Sequence, residues 1–181
     1  MKAYDLSKVS LIMVDDDKFM RSLLLQMLRG LGFKSVMACD GVDAAIDEMR
    51  VSAYDIAMID WVLGGEKSGL DMVKMIRKGE IGERMLPIIM LTANTKLAAV
   101  MEARDAGITE FLAKPVSAQT VYSRVVEVIE APRQFVRTKS YFGPDRRRRK
   151  DEKFEGPFRR AEDANDLSID AGNAKPEPAK V

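Results

Sequence analysis

Val9-Ser10-Leu11-Ile12-Met13-Val14-Asp15-Asp16-Asp17-Lys18-Phe19-Met20-Arg21-Ser22-Leu23-Leu24-Leu25-Gln26-Met27-Leu28 is the stretch that decides the architecture. Its first six residues are apolar except for one serine, a pattern expected of a strand covered on both faces rather than on one. Three aspartates follow. Beyond them Phe19, Met20, Leu23, Leu24, Met27, Leu28 and Leu31 recur at intervals of three and four, which predicts one helical stripe, and Asp17 stands where an N-cap is needed.

The same strand–helix unit repeats outward from there. Val36–Cys39 predicts a second strand and Val42–Met49 a helix. Ile56–Ile59 and the stripe of Leu70, Val73 and Ile76 form a third unit. Ile88–Leu91 and Phe111–Ala113 complete the strands. The fourth helix is predicted over Lys96–Ala106 with Gly107 at its C-cap, and the fifth over Ala118–Glu130, opened by Ser117 and stopped before Pro132. Five such units predict an α/β fold: a parallel five-stranded sheet covered by helices on both faces.

Composition narrows the chemistry. The 181 residues carry 29 Lys+Arg and 28 Asp+Glu, but residues 1–131 are mildly acidic and 132–181 basic. The domain division is therefore expected at 131, with residues 132–181 a Pro- and Arg-rich, largely disordered tail that holds five of the seven prolines. The chain has no histidine, which excludes histidine acid–base catalysis, histidine metal ligation and a phosphohistidine of its own. Cys39 is the single cysteine and reads as a small core hydrophobe. No apolar run reaches the roughly 18 residues needed to span a bilayer, so a cytoplasmic location is expected.

In open α/β sheets ligands gather at the carboxyl ends of the strands. Those ends carry Asp15 and Asp16, Asp60, Thr92 and Lys114. A carboxylate can attack a phosphoryl group if charge is neutralised and the approach held in line, and Asp60, at the middle strand, is the candidate nucleophile. Three carboxylates together repel one another unless a divalent cation lies between them, and an all-oxygen donor set suits magnesium. Thr92 can donate a hydrogen bond to a phosphoryl oxygen, and the Lys114 ammonium can pair with another.

Val14-Asp15-Asp16, Asp60, Leu91-Thr92-Ala93 and Lys114-Pro115 together resemble the signature of response-regulator receiver domains, over roughly residues 8–131. The resemblance implies a flavodoxin-like, doubly wound (βα)5 fold with the strands in the order 2-1-3-4-5, and it implies that Asp60 accepts phosphate from a histidine kinase or histidine phosphotransfer protein. It implies that Asp16 and Asp60 bind Mg2+ directly, with Asp15 close by and the backbone carbonyl of Val62 as a further ligand. Thr92 and Phe111 would be the switch residues, and the Lys114–Pro115 peptide would be cis. The output would be a downstream protein bound at the face of the fourth helix, fifth strand and fifth helix, and the protein would not be an enzyme beyond its own phosphorylation and dephosphorylation. The segment after Asp60, Trp61 to Gly69, lacks the usual proline and is one residue longer than common, with Gly64 and Gly65 marking a mobile loop. Val62 and Asn94 stand at positions that tune dephosphorylation in the family.

The tail repeats an aromatic-x-Gly-Pro-x-Arg-Arg pattern at Tyr141–Arg147 and Phe154–Arg160. Its basic run, Arg146–Lys150, could hold phosphates of nucleic acid or anionic lipid, though Asp151, Glu152 and Glu155 dilute it; equally, the tail could fold back on the acidic domain and bias its switch. Two alternatives to a contact-signalling switch follow: a phosphorylation-gated nucleic-acid binder, and a phosphate sink in a phosphorelay. Kinase, target and oligomeric state are not encoded in these motifs.

Overall fold

A computed structural model of the chain describes residues 4–94, 96–146 and 167–168. Five parallel strands, β1 (Ser10–Val14), β2 (Ser35–Cys39), β3 (Ile56–Asp60), β4 (Ile88–Thr92) and β5 (Glu110–Ala113), form a sheet in the order β2-β1-β3-β4-β5. They alternate with α1 (Lys18–Gly30), α2 (Val42–Val51), α3 (Gly69–Lys78), α4 (Leu97–Ala106) and α5 (Ala118–Glu130). This is the predicted doubly wound arrangement.

The period of two in each strand feeds two cores. Leu11 and Met13 of β1 point into a core shared with Leu24 and Leu28 of α1 and Val121, Val125 and Val128 of α5. Ile12 and Val14 point the other way, into a core shared with Ala45, Ile46 and Met49 of α2 and Leu70, Val73 and Ile76 of α3. Every residue of β3 and β4 is buried, as continuous apolar runs demand, whereas the edge strand β2 is mostly exposed. Cys39 lies in the first-named face's opposite core, and burial pushes its thiol up to about 11, consistent with an inert hydrophobe.

Helix ends follow local chemistry. The Asp17 carboxylate accepts from the Met20 N–H at 2.8 Å, capping α1. Ser117 and Thr120 cap α5 reciprocally, and Gly107 closes α4 at φ 101°. One stripe position departs from expectation: Phe19 is 76% exposed. At 100° per residue it stands about 140° from Leu24, on the outer face of α1, so its spacing to Met20 and Leu23 overstated its membership.

The larger correction concerns the expected tail. Residues 135–137 and 142–144 form an antiparallel hairpin, β6 (Phe135–Arg137) and β7 (Phe142–Pro144), with a two-residue strand β8 (Leu167–Ser168) on the other edge of β6. The hairpin lies over the C-terminal ends of α3 and α4. Phe135 is buried, its ring 5.7 Å from that of Phe142. Arg77 of α3 lies over Phe135 at 5.0 Å and Arg84 over Phe142 at 4.1 Å. Arg133 pairs with the buried Glu110 of β5 at 2.8 Å, and Arg146 with Asp105 of α4 at 3.5 Å. Gly143 admits no side chain, because a Cβ there would meet the Tyr141 hydroxyl at 2.5 Å and the Gly107 Cα at 3.1 Å. The folded body thus extends beyond 131 to 146; the rest of the tail, including the second motif copy, lies outside the described residues apart from β8.

Phe135→Ala is expected to destabilise the protein by about 3 kcal/mol, the usual cost of emptying a buried phenylalanine site. Urea unfolding checks this, since a disordered segment at 135 would give no change.

Candidate functional site

The carboxyl ends of β1, β3, β4 and β5 meet in one crevice because their parallel register brings Val14 beside Ile59, Asp60 beside Leu91 and Thr92 beside Ala113. Asp60 ends β3 and is 7% exposed; Asp15 follows β1 and is fully buried, while Asp16 is exposed. Lys114 follows β5 and reaches across both, its ammonium 2.7 Å from Asp60 Oδ2 and 3.1 Å from Asp15 Oδ2. The Lys114–Pro115 peptide is cis.

One carboxylate oxygen from each of Asp15, Asp16 and Asp60 lies within 4.8 Å of the others, all hard oxygen donors. A single lysine faces them. This donor set is compatible with a small divalent cation such as magnesium. Asp16 is steadied by the Gly64 N–H at 2.8 Å and Asp15 by the Asp17 N–H at 2.9 Å, while Arg21 donates to the Asp15 carbonyl at 2.7 Å. Arg21 had not been singled out in the sequence. It falls one helical turn after Asp17, on the side of α1 facing the acidic loop.

Burial is the largest influence on Asp60 and raises its pKa, with the nearby Asp15 charge adding to it and the Lys114 hydrogen bond and charge only partly offsetting it. Burial alone would lower Lys114, but its hydrogen bonds and charge interactions with Asp60 and Asp15 outweigh that and hold it above the ordinary lysine value. An added cation at these carboxylates would oppose the effect of burial on Asp60.

Thr92 is buried at the end of β4, its hydroxyl accepting from the Asn94 N–H at 2.9 Å. Phe111 is half-buried against the core shared with α2 and α3. Val62 is 70% exposed beside the crevice, and Trp61 is half-buried. The loop expected to be mobile is tied at Gly64 to Asp16 and at Lys67 to Asp43, 3.0 Å apart. Gly69 is a second residue not singled out. A Cβ on it would fall 1.8 Å from the Asp60 carbonyl oxygen, so only glycine lets α3 start directly against the end of β3.

A doubly wound sheet whose strand ends gather three carboxylates, a threonine and a lysine defines a phosphoacceptor module, compatible with magnesium and with phosphorylation of an aspartate. The comparisons agree. Residues 11–126 match the family described as Response regulator receiver domain. The chain is 30% identical over 130 residues to Chemotaxis protein CheY-3 of Vibrio cholerae, covering 72% of this chain and 98% of that protein. It is 29% identical over 122 residues to Chemotaxis protein CheY of Pseudomonas aeruginosa, covering 67% and 97%. Among solved structures it resembles the receiver domain of sensor histidine kinase PA1611 from Pseudomonas aeruginosa, with magnesium coordinated in its active site cleft (28% identity, TM-score 0.57, 66% of this chain and 94% of that one). The fold alone is shared with Vibrio cholerae CheY4 (23% identity, TM-score 0.61, 66% and 98%). The chain belongs to the response-regulator receiver domain family.

Two outcomes are expected. Gly69→Ala should cost about 3 kcal/mol or more, since the clash is with backbone, and thermal unfolding reads it directly. Asp60→Asn should be slightly more stable than the parent at pH 7 without divalent cations. A raised acceptor pKa means the folded state holds its proton more tightly than the unfolded chain, so the parent gains stability as pH falls through that raised value toward 3.8. The advantage of the asparagine variant must shrink over the same window, and unfolding measured from pH 7 to pH 4 shows whether it does.

Proposed function

We propose that Asp60 is the phosphoacceptor of a signalling receiver, charged by a histidine kinase or histidine phosphotransfer protein. The observation that carries the reading is the Lys114 ammonium held between Asp60 and Asp15. Asp60 Oδ1, not engaged by Lys114 among its hydrogen bonds, attacks the phosphorus of the donor phosphohistidine as its P–N bond breaks and the imidazole takes a proton; the product is an acyl phosphate. Asp16, Asp60 and the Val62 carbonyl would hold Mg2+, with Asp15 close by, and the ion would supply charge neutralisation on the phosphoryl oxygens. Lys114 then exchanges its bond to Asp60 for one to a phosphoryl oxygen, and Thr92 turns its hydroxyl from Asn94 toward another. Movement of Thr92 vacates space toward which Phe111 turns, and the face of α4, β5 and α5 changes with it.

Support for a protein partner at that face comes from α4. Leu97 and Met101, one turn apart, are 74% and 37% exposed. The helix shows few buried residues, only Ala99 and Ala103, so it is held more lightly than its neighbours. No helix among the described residues is long and apolar enough to cross a membrane, and we place the protein in the cytoplasm, where its phosphodonor would be.

Incubation of the full chain with acetyl phosphate and Mg2+ is expected to give a single phosphoryl adduct by intact mass, absent from Asp60→Ala and from samples with EDTA. Equal labelling of parent and Asp60→Ala would remove Asp60 as acceptor. Lys114→Ala should retain Mg2+ binding yet lose about ten-fold or more in labelling rate, the scale of one charge-assisted contact made in the transition state.

A further inference from the structure

At the end of the molecule opposite the acidic crevice, the hairpin forms the second wall of a cavity of about 570 Å³. Its other walls are the C-terminal half of α3, the loop after it and the last turns of α4. Six cations line it: Lys74, Arg77 and Lys78 of α3, Arg84 of the loop, and Arg137 and Lys139 of the hairpin. Only two carboxylates face them, Glu102 and Asp105. Asp105 is already engaged by Arg104 at 3.2 Å and Arg146 at 3.5 Å. The pairs Lys74–Asp71 and Lys78–Glu80 are long, at 3.9 and 3.8 Å, and exposed, so they neutralise little.

Arg77 makes the excess costly. It is 4% exposed and donates to three carbonyls, of Gly107, Arg84 and Leu86, at 2.7 to 2.8 Å. Those acceptors are neutral, and its Nη2 has no hydrogen-bond partner. Burial pulls its pKa down to about 9, still far above neutral, so the charge stays. A buried cation balanced only by dipoles gains from any anion placed beside it, even without contact.

We propose that this cleft binds a small ligand bearing two or more phosphates, of nucleotide size. The surplus of four positive charges matches a triphosphate or a pyrophosphate, and the volume falls within the roughly 300–1,000 Å³ of small-molecule sites. Thr138 and Ser140 are also among the lining residues, and the Thr138 hydroxyl, which accepts from the Tyr141 N–H at 3.0 Å, keeps its own proton to donate. Tyr141 and Phe142 line it too, with the guanidinium groups of Arg146 and Arg84 over their rings at 3.9 and 4.1 Å, and a nucleotide base can stack on such guanidinium planes. The site uses none of the residues assigned to phosphoryl acceptance, so it stands or falls independently of that function.

The test is an NMR titration of the isotope-labelled full chain, with EDTA, using ATP in one arm and inorganic pyrophosphate in the other. Saturable shifts below about 1 mM are expected, centred on Lys74–Lys78 and Thr138–Phe142. The exposed pair Lys78→Glu and Lys139→Glu together should weaken binding by about ten-fold or more, with the unfolding midpoint and acetyl phosphate labelling unchanged. Equal binding of both probes assigns the site to phosphate itself, and tighter ATP binding to a nucleotide; either upholds it. No saturation in either arm, binding indifferent to the two substitutions, or shifts centred elsewhere overturns it. An oligonucleotide that binds where both small probes fail would also overturn it, in favour of a polymeric ligand.

Discussion

One ammonium group between two buried carboxylates organises this molecule. Lys114 spans the gap from β5 to β3 and to the loop after β1, and so joins strands that are not neighbours in the sheet. Without it, Asp15 and Asp60 would face each other in a largely dry site, where like charges repel far more strongly than in water. With it, burial still outweighs the lysine's hydrogen bond and charge and keeps the Asp60 pKa above its ordinary value. The three gathered carboxylates remain compatible with an added divalent cation. Stability is given up at the strand ends and recovered in the two apolar cores behind them.

The strands and helices were readable because their signals are local and redundant. A fully apolar run such as Ile56–Ile59 can satisfy itself only inside a covered sheet, and Asp17, Ser117 and Gly107 mark helix ends by their own side-chain or backbone chemistry. The site residues were readable for a related reason, because the topology puts every strand end in one place. What was not readable depends on contacts between distant elements. Gly69 looks like any glycine before a helix until the Asp60 carbonyl is placed against it. Arg77 could have been found: it lies about 20° from Leu70 around α3, on the apolar stripe, yet its charge argued for solvent. The hairpin was hidden by composition, since a segment rich in Arg, Gly and Pro averages to a disordered tail while Phe135, Tyr141 and Phe142 are spaced to pack.

The hairpin also shows how arginine can build a folded interface that hydropathy does not register. Arg77 and Arg84 present guanidinium faces to Phe135 and Phe142 while their edges donate to backbone carbonyls. Arg133 neutralises Glu110, which would otherwise be a charge buried at the start of β5. Each arginine combines apolar covering with hydrogen bonding, so a few residues bind the hairpin firmly. Lysine in the same places would lose the planar stacking and leave carbonyls unmet.

Strand β5 brings the two ends of the molecule into mechanical relation. Its first residue, Glu110, is held by Arg133 of the segment leading into the hairpin; Phe111 follows, and Lys114, one residue past the strand, is held by Asp60. A four-residue strand paired in register with β4 moves as a unit, because sliding it would break the ladder from Ile89–Glu110 to Thr92–Ala113. Any adjustment of β5 that follows the release of Lys114 from Asp60 must therefore be borne by the Arg133–Glu110 pair as well. Asp105 of α4, tied to Arg146, applies the same restraint to the neighbouring helix. The hairpin is thus tied to the far ends of α4 and β5, the ends opposite the acidic crevice, through the Arg146–Asp105 and Arg133–Glu110 pairs.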